Sequence, residues 1–408
     1  MAHYPVIIAG AGPSGSTASL FLSQAGISHA LIDKAVFPRD KICGDALSGK
    51  VQSVLKKLHP DWIKELSHHK EFHGSRGVSF YSPGGHKLDL PFCREQEAAP
   101  GWVASRMDFD HWLFSKTPSA FVSAIQGCCI TGVERVNQKW NCTVSHEHKT
   151  EVHTCDLLLG ADGTQSIVAK TLLGNKINPA QYSAGLRMYW ENVLDLNQEG
   201  FIELHFLPEL LPGYFWIFPM SNNRCNVGLG MLSKSVSEKS IDLKKALLNI
   251  LHEHPVLSSR FAHARPLENP KGWGLPLGSE KHSLSGDGFM LLGDAASLID
   301  PFTGEGIANG MICGMHAAAV AADAIKLGRT DADFLKEYDF RVYRRLWKEL
   351  NISRRLQQLL EYPWLFDAVV KKANKNTALK DAMSSMFSDL DMRSRLKKPS
   401  FYFGLFFR

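Results

Sequence analysis

The chain has 408 residues, of which 44% are hydrophobic and 21% charged, as is ordinary for a globular protein of two or three lobes. Its formal net charge of +5 is small for this length, so the composition permits an anionic small ligand but gives no reason to expect nucleic-acid binding. The eight cysteines form no C-x-x-C pair, no basic leader precedes the first apolar stretch, and no run reaches the roughly 18 apolar residues of a membrane span. We therefore expect reduced thiols and a cytoplasmic location.

The N-terminal region predicts a strand–helix–strand unit. Residues 5–9 are predicted to form a buried strand of a parallel sheet, because they include three consecutive branched apolar residues. Residues 14–25, which are mostly small, predict a helix, and residues 29–33 predict a second buried strand. A loop with the sequence Gly-Ala-Gly-Pro-Ser-Gly joins the first strand to the helix.

That glycine-rich loop, residues 10–15, indicates a dinucleotide site. Gly10 permits the tight turn, Gly12 lets the backbone approach a pyrophosphate, and Gly15 lets the helix pack closely on the strand. The helix N-terminus offers unpaired N–H groups to the phosphates. Asp33, which ends the next strand, is placed to accept hydrogen bonds from ribose hydroxyls, and an acid there disfavours a 2′-phosphate. The predicted ligand is therefore FAD or NAD rather than NADP.

Later parts of the chain alternate between hairpins and helices. The predicted elements are a hairpin over residues 74–90, a helix at 105–115, a hairpin of 140–145 with 151–155, a buried strand at 157–159, a β-rich aromatic stretch at 184–231, a buried strand at 289–292, a long helix at 304–327 and further helices beyond 329. The aromatic stretch has the composition of a sheet that faces a ligand or another lobe.

Two later segments extend the dinucleotide site. Asp162 follows a buried strand and can lie against a cofactor, although a strand followed by Asp-Gly is commonly only a turn. Asp294, after another buried strand, can bind a ribityl hydroxyl. Gly304 and Gly306 open the long helix, so their N–H groups can face the N1–C2=O edge of a flavin, where the reduced ring carries negative charge. NAD needs no second helix terminus, so this third motif favours FAD.

The predicted fold class is α/β with two lobes. A FAD-binding Rossmann-type lobe is discontinuous and takes residues 1–70, 96–175 and 284–330. A β-sheet substrate lobe, residues 71–95 and 176–283, is inserted into it, and a helical C-terminal region covers residues 331–408.

In their order and spacing, the three motifs resemble the flavoprotein superfamily of para-hydroxybenzoate hydroxylase. Two further segments are similar to the geranylgeranyl reductase family within it. These are Phe-Pro-Arg-Asp-Lys-Ile-Cys-Gly-Asp at residues 37–45 and Pro-Gly-Tyr-Phe-Trp-Ile-Phe-Pro at residues 212–219, which matches that family's Y-x-W-x-F-P.

The resemblance implies hydride transfer from reduced, non-covalently bound FAD to an isolated C=C bond of an isoprenoid chain, or of another apolar lipid-like substrate. Cys43 would lie beside the flavin, where a thiol can supply a proton. Tyr214, Trp216 and Pro219 would line an apolar cavity, and Arg106 would contact FAD. The candidate catalytic residues are Cys43, Tyr214 and Trp216. The candidate cofactor-binding residues are Gly10, Gly12, Pro13, Ser14, Gly15, Asp33, Lys34, Arg39, Cys43, Gly44, Arg106, Asp162, Gly293, Asp294, Pro301, Gly304, Glu305, Gly306 and Ile307.

Several alternatives stay open on the sequence alone. Cys43 can be only a small buried residue, and the aromatic cluster can be core packing. Flavin-dependent hydroxylases and halogenases use the same fold. The halogenases of this superfamily resemble the pattern W-x-W-x-I-P, and here Tyr214 and Phe218 replace its first Trp and its Ile. A non-catalytic flavin-binding protein is the third possibility. No second G-x-G-x-x-G is present, so the reductant, for which NAD(P)H is the candidate, is not identified by a motif.

Two remaining segments bear on partners. Residues 146–148 with His153 and Cys155 could suggest zinc, but a solvated hairpin tip explains them and we expect no metal. Residues 401–408 are mostly aromatic, and four basic residues precede them at 393, 395, 397 and 398. This pattern suits an interfacial membrane anchor for a protein with a lipid substrate, and docking onto the protein's own core is the alternative.

Overall fold

The computed structural model describes residues 2–92, 99–147, 149–174 and 178–385, so the C-terminal aromatic segment and His148 lie outside the described residues. The mixed α/β class predicted from the sequence is confirmed. Residue contacts divide the protein into two units. The first is formed by the described residues of Met1–Lys41, Ser105–Ser183 and Gly274–Arg354, and the second by those of Ile42–Ala104, Ala184–Trp273 and Arg355–Arg408.

The strands are β1 His3–Ala9, β2 His29–Asp33, β3 Ala46–Leu47, β4 His73–Ser75, β5 Gly77–Tyr81, β6 Lys87–Pro91, β7 Gly101–Val103, β8 Val122–Gln126, β9 Cys129–Val136, β10 Lys139–His146, β11 Lys149–Gly160, β12 Tyr182–Glu191, β13 Ile202–His205, β14 Tyr214–Pro219, β15 Arg224–Leu232, β16 Arg265–Pro266, β17 Lys271–Pro276, β18 Ser285–Gly286 and β19 Phe289–Leu291. The helices are α1 Pro13–Gln24, α2 Gly49–Leu58, α3 Trp62–Ser67, α4 Arg106–Ser115, α5 Ile167–Leu173, α6 Ser233–Glu238, α7 Leu243–Glu253, α8 Ser258–Phe261, α9 Ile307–Leu327, α10 Ala332–Leu359, α11 Pro363–Lys375 and α12 Thr377–Ser385.

The first unit is built on an eight-stranded sheet whose main strand order is β18-β19-β11-β1-β2-β8. β19, β11, β1, β2 and β8 are parallel to one another, whereas β18 pairs antiparallel with β19, β10 pairs antiparallel with β11, and β9 pairs antiparallel with β10. Ile7 of β1 pairs with Leu158 on one side and with Ala30 on the other, and all three are completely buried. Burial on both faces explains why this strand is apolar without alternation. The glycine-rich loop, the Asp162 segment and Asp294 follow the carboxyl ends of the adjacent strands β1, β11 and β19. The sheet therefore brings the three predicted motifs to one edge.

Helix α9 packs along α1 because small residues allow a close approach. A Cβ at Gly314 would lie 2.4 Å from the Ser14 carbonyl oxygen, and one at Gly310 would lie 2.3 Å from Ser14 Oγ. By length and composition α9 could cross a membrane, whereas the sequence analysis expects no such segment; 61% of its apolar window is buried inside the protein. A mostly buried helix of this kind is also what the core of a globular unit contains, so it is weak evidence for a membrane span.

The second unit is built on a mostly antiparallel sheet with the order β16-β12-β15-β14-β13-β5-β6, and β17 also pairs with β12. Side chains of β14 alternate between its two faces. Phe215 and Ile217 are completely buried in a core that includes side chains of β15 and α7. Tyr214, Trp216 and Phe218 occupy the other side, which we call the aromatic face.

The two units and the predicted domains divide the chain at different residues. Residues 99–104 lie in the second unit rather than with the FAD lobe, and residues 178–183 and 274–283 lie in the first unit rather than with the substrate lobe. Residues 42–70 lie in the second unit rather than with the FAD lobe, because β3 and β4 pair with β7 in a small sheet. The C-terminal helices are shared between units rather than separate. Tyr338 of α10 donates a hydrogen bond to the Leu291 carbonyl oxygen at 2.7 Å, whereas Phe366 of α11 packs on Phe206, with 4.8 Å between ring centroids.

Candidate functional site

The loop between β1 and α1 has a backbone shaped for a phosphate ligand. Gly10 has φ +96°, and a Cβ there would lie 2.4 Å from the Ala161 oxygen; a Cβ at Gly15 would lie 1.8 Å from the Gly10 oxygen. At these two positions the protein's own backbone excludes a side chain. Gly12 is different, since the nearest heavy atom to its Cβ would be Arg39 Nη2 at 3.7 Å. A phosphate group fits in front of Gly12, beside a guanidinium and the start of α1.

Asp33 is held by the backbone around the loop. Its carboxylate accepts hydrogen bonds from the Ala11 N–H at 2.7 Å and from the Ala35 N–H at 2.8 Å. Each oxygen has two lone pairs, so both keep an acceptor position that a ribose hydroxyl can use. Lys34, the next residue, is exposed.

Asp110 of α4 binds both of the predicted arginines. Arg106 donates through Nε and Nη2 to its two oxygens, each at 2.7 Å, and Arg39 Nη1 lies 2.7 Å from Oδ2. Asp110 and Arg106 are buried, so this charge-assisted pairing is shielded from water. The family resemblance implies that Arg106 contacts FAD. In the structure Arg106 forms hydrogen bonds with Asp110. Arg39 is the arginine whose side chain lies near Gly12.

The carboxylate of Asp162 caps α5. It accepts hydrogen bonds from Ser166 Oγ and from the N–H of Ile167 at 2.8 Å. Burial raises the pKa of Asp162, and its hydrogen bonds act in the opposite direction. The neighbouring Ala161 lies against the glycine-rich loop. This segment therefore contacts the loop through Ala161, and a role of the Asp162 side chain in cofactor binding stays a prediction.

Asp294, which follows β19 in the chain, lies close in space to the N-terminus of α9. One of its oxygens would be 3.5 Å from a Cβ at Gly306, the residue that caps the helix. The other accepts a hydrogen bond from Thr164 Oγ1 at 3.3 Å and is 3.9 Å from Lys41 Nζ. Burial, followed by the charge of Asp294, raises the pKa of Tyr182. The Asp294 side chain is 21% exposed, so its carboxylate can accept a further hydrogen bond from a sugar-alcohol hydroxyl.

The loop that leads into α9 is closed by its own hydrogen bonds. Asp300 Oδ1 accepts from the N–H groups of Phe302 and Thr303, at 2.9 and 2.8 Å. Glu305 Oε1 accepts from the Ala308 N–H at 3.0 Å, so this side chain, which the sequence assigns to the cofactor, caps the helix. A rigid loop fixes the N-terminus of α9, whose partial positive charge favours an anionic group such as the reduced flavin edge.

Together these residues fit FAD. The first unit offers two helix N-termini, a phosphate-sized space at Gly12 and carboxylates at Asp33 and Asp294 for the two sets of sugar hydroxyls. FAD, whose flavin ring is attached through a ribityl chain, can use both helix N-termini and both carboxylates. NAD needs only one helix N-terminus.

In the second unit, three aromatic rings lie in a row on β14. Tyr214 and Trp216 have ring centroids 6.1 Å apart, as do Trp216 and Phe218. The Trp216 indole lies over β15, where a Cβ at Gly228 would come within 2.4 Å of the ring. Because Gly228 has no side chain, the Trp216 indole can lie directly on the backbone of β15. Glycine is typical of strand positions that a large group approaches closely.

The segment Cys43–Asp45, which we call the Cys43 segment, lies against the aromatic face. A Cβ at Gly44 would be 3.0 Å from Phe218 Cε2 and 3.9 Å from Trp216. Cys43 is a half-buried thiol. The second unit therefore places a thiol-bearing segment and the three aromatic rings of β14 next to one another.

Metal binding is not indicated. Within the described ranges, no group of His, Cys, Asp and Glu side chains is arranged to hold a metal ion. His146 Nδ1 instead lies 2.8 Å from the Gly127 carbonyl oxygen, and Cys155 is completely buried.

Sequence reasoning missed several residues of this site. Asp110 could have been found from its position four residues after Arg106, which is the spacing of a helical ion pair. Asn226 could have been found as a lone amide in the apolar strand Cys-Asn-Val-Gly-Leu-Gly. Lys41 and Thr164 give no such indication, because distant segments bring them to Asp294.

A family model described as "FAD binding domain" matches residues 3–45. Over longer spans, the chain is 30% identical to digeranylgeranylglycerophospholipid reductase 2 of Methanopyrus kandleri, with 85% of this chain and 83% of the relative covered. It is 29% identical to digeranylgeranylglycerophospholipid reductase of Methanocaldococcus jannaschii, with 97% and 94% covered. Menaquinone reductase of Mycobacterium tuberculosis is 27% identical, with 94% and 91% covered.

Solved structures share the fold. A geranylgeranyl bacteriochlorophyll reductase-like protein from Thermoplasma acidophilum superposes with a TM-score of 0.80 at 22% identity, covering 97% of this chain and 99% of that one. A flavin-dependent brominase superposes with a TM-score of 0.70 at 20% identity, covering 95% and 94%. These structures establish the fold, and the sequence relationship over most of the chain establishes the family: the protein belongs to the geranylgeranyl reductase family of FAD-dependent oxidoreductases.

Proposed function

We propose that the protein transfers a hydride from reduced FAD to a C=C bond of an isoprenoid chain. The observation that carries this proposal is the aromatic face of the second unit with the Cys43 segment against it. The relatives support an apolar substrate, since they are named digeranylgeranylglycerophospholipid reductase and menaquinone reductase.

The chemistry of an isolated alkene explains these residue types. An alkene offers no charge to bind, so affinity must come from buried apolar area, at about 25 cal/mol per Å². Tyr214, Trp216 and Phe218 supply such area. Reduced FAD, when bound, would supply the hydride for one alkene carbon and would itself become oxidised FAD. The other carbon takes a proton as the S–H bond of Cys43 breaks, and the thiolate then regains a proton from water.

Two substitutions test these roles. Trp216→Ala should keep the FAD spectrum and raise the KM for a geranylgeranyl-bearing lipid, because an apolar wall is removed. Cys43→Ser should keep both FAD and KM but slow reduction, because a serine hydroxyl is a far weaker acid than a thiol of pKa about 8.5. Both are measured by single-turnover loss of substrate C=C after chemical reduction of the flavin.

Leu247→Ala is the control for general destabilisation, since Leu247 is completely buried in the core on the opposite face of the sheet. It should lower the Tm without raising the KM. A Trp216→Ala protein that loses FAD or unfolds would show that Trp216 is a core residue. An unchanged reduction rate in Cys43→Ser would remove the thiol from the mechanism.

We propose NAD(P)H as the electron donor, bound only transiently because the sequence has a single dinucleotide loop. Stopped-flow bleaching of the flavin by NADPH, NADH and dithionite tests this. Bleaching by dithionite but by neither nucleotide would assign electron supply to a protein donor instead.

We propose peripheral contact with an anionic membrane, from the cytoplasmic side, through the start of α11. Tyr362 and Trp364 are 56% and 69% exposed, whereas Phe366 on the same helix is buried. Lys371 and Lys375 are exposed, and helical spacing puts them on the same side as Trp364. Exposed aromatic rings beside lysines suit the headgroup region of a lipid bilayer.

Co-sedimentation with phosphatidylglycerol vesicles should exceed that with phosphatidylcholine vesicles, and Trp364→Ala should reduce it. The C-terminal segment predicted as an anchor lies outside the described residues, so a chain ending at residue 385 is measured in parallel. Equal sedimentation of Trp364→Ala and the unaltered protein would exclude α11 as the contact.

A further inference from the structure

Asn226 of β15 joins three parts of the second unit. Its Oδ1 accepts a hydrogen bond from Trp216 Nε1 at 2.9 Å, and its Nδ2 donates to the Cys43 carbonyl oxygen at 2.7 Å and to Asp45 Oδ2 at 2.9 Å. The side chain is completely buried. Because an indole N–H only donates and a carbonyl oxygen only accepts, these partners fix the orientation of the amide.

Asp45, at the end of the Cys43 segment, has an unusual backbone. Its φ is +68°, a left-handed value that costs free energy for any residue other than glycine, and it is completely buried. Tyr189 donates to its carboxylate at 2.6 Å, and its carbonyl oxygen accepts from the Ala104 N–H at 3.1 Å. With the bond from Asn226, these contacts hold the segment in a conformation it would not adopt alone.

The same amide therefore fixes the two groups that the proposed reaction needs. Through Trp216 it sets the plane of the apolar wall, and through the Cys43 carbonyl it sets the backbone that carries the thiol. We infer that Asn226 is a positioning residue, which holds the thiol of Cys43 in register with the aromatic face. This inference rests on the proposed function of Cys43.

The side chain at position 226 must accept one hydrogen bond and donate two, and asparagine has the length and the groups to do so. Aspartate would accept from Trp216 but could not donate to the Cys43 carbonyl, and it would place a second carboxylate beside Asp45. Leucine would have the volume but would leave buried polar groups without partners, at a cost for each of them. The fixed geometry matters because a misplacement of about 1 Å at a reacting group can cost about a hundredfold in rate.

Asn226→Asp tests the inference, since it changes two donors and almost no volume. We expect kcat to fall about tenfold or more while the KM for the lipid changes less than about twofold and the FAD spectrum stays the same. Hydrogen–deuterium exchange of the peptide that contains residues 43–46 should accelerate about tenfold, because the segment loses its tether. The second readout needs neither substrate nor turnover.

Leu229→Val is the matched control on the same strand, since Leu229 is completely buried on the opposite face. It should lower the Tm and leave exchange of residues 43–46 and kcat unchanged. If Asn226→Asp fails to fold, Tyr189→Phe removes one bond to Asp45 and should shift both readouts in the same direction by a smaller factor.

The inference would be overturned if residues 43–46 of the Asn226→Asp protein exchanged hydrogen for deuterium at the rate of the unaltered protein. A fall in kcat without faster exchange at these residues would overturn it too. If the unaltered protein reduces no alkene, the proposed function fails, and the exchange comparison still decides whether Asn226 holds the Cys43 segment.

Discussion

Carboxylates in this protein separate into those that serve the backbone and those left open to a ligand. Asp162 and Glu305 cap α5 and α9, and Asp110 pairs with two arginines. Asp294 Oδ2 lies near the Thr164 hydroxyl and the Lys41 ammonium group, and Oδ1 lies near the N-terminus of α9. The Asp294 carboxylate therefore keeps acceptor positions that a hydroxyl of the cofactor can use.

Replacing Asp294 with alanine should weaken FAD binding. The substitution removes a charge-assisted hydrogen bond worth about 1.5–3 kcal/mol, which corresponds to roughly 10- to 150-fold in Kd. Fluorescence titration of the apoprotein with FAD measures the change. Asp156→Ala is the control, because that carboxylate lies on β11 of the same sheet with 38% of its side chain exposed. An unchanged Kd in Asp294→Ala would remove this residue from the cofactor site.

The sequence predicts which residues lie at the candidate site where a motif places them there. It does not predict in which direction their side chains point. The glycines of the loop and the strand-end position of Asp294 are consequences of local order along the chain. Whether Asp162 points toward a ligand or toward its own helix depends on the φ and ψ angles of a few residues after β11, which the sequence pattern leaves undetermined. Asn226 becomes meaningful only when β15 pairs with β14 beside the Cys43 segment.

Elements with a strong apolar pattern were predicted well. The strand of residues 29–33 is confirmed as β2, the hairpin of residues 74–90 as β5 and β6, and the helix of residues 105–115 as α4, which begins one residue later because Ser105 is its N-cap. The sequence does not predict the small sheet of β3, β4 and β7, because its strands are two or three residues long and pair at long range, Ala46 with Val103 and His73 with Val103.

The packing of α1 on α9 links two elements that both begin at the cofactor site. Because a Cβ at Gly314 would meet the Ser14 carbonyl oxygen at 2.4 Å, the two helices cannot keep their separation if that glycine gains a side chain. Any shift of α1 would also move its N-terminus, where we expect the pyrophosphate of FAD to bind.

Gly314→Ala should therefore destabilise the fold and weaken FAD binding together. Overpacking of this kind costs about 1–3 kcal/mol, which thermal unfolding with and without added FAD will measure. Gly132→Ala is the matched control, since a Cβ there would meet its nearest neighbour at 3.8 Å, an ordinary contact. A Gly314→Ala protein with the Tm and FAD affinity of the unaltered chain would show that the helices can separate without cost.

At the scale of the whole molecule, the fold does not decide the chemistry. The same architecture superposes on a reductase-like protein and on a flavin-dependent brominase with TM-scores of 0.80 and 0.70. The sequence relationship connects this chain to reductases, and a thiol-bearing segment lies against its aromatic face. The dependence on molecular oxygen is the property in which the two kinds of enzyme differ most clearly.

Under anaerobic conditions the protein should consume reductant in step with the loss of substrate C=C. Reduction of an alkene needs a hydride and a proton, whereas hydroxylation and halogenation need molecular oxygen as a co-substrate, so removing oxygen leaves the first reaction intact and stops the other two. Mass spectrometry of the lipid product in sealed anaerobic and aerated reactions measures this, with a gain of two hydrogens expected in both. Product that forms only in air and carries an added oxygen or halogen atom would overturn the reductase assignment and leave the FAD assignment standing, because the glycine-rich loop, Asp33 and Asp294 suit FAD whichever reaction follows.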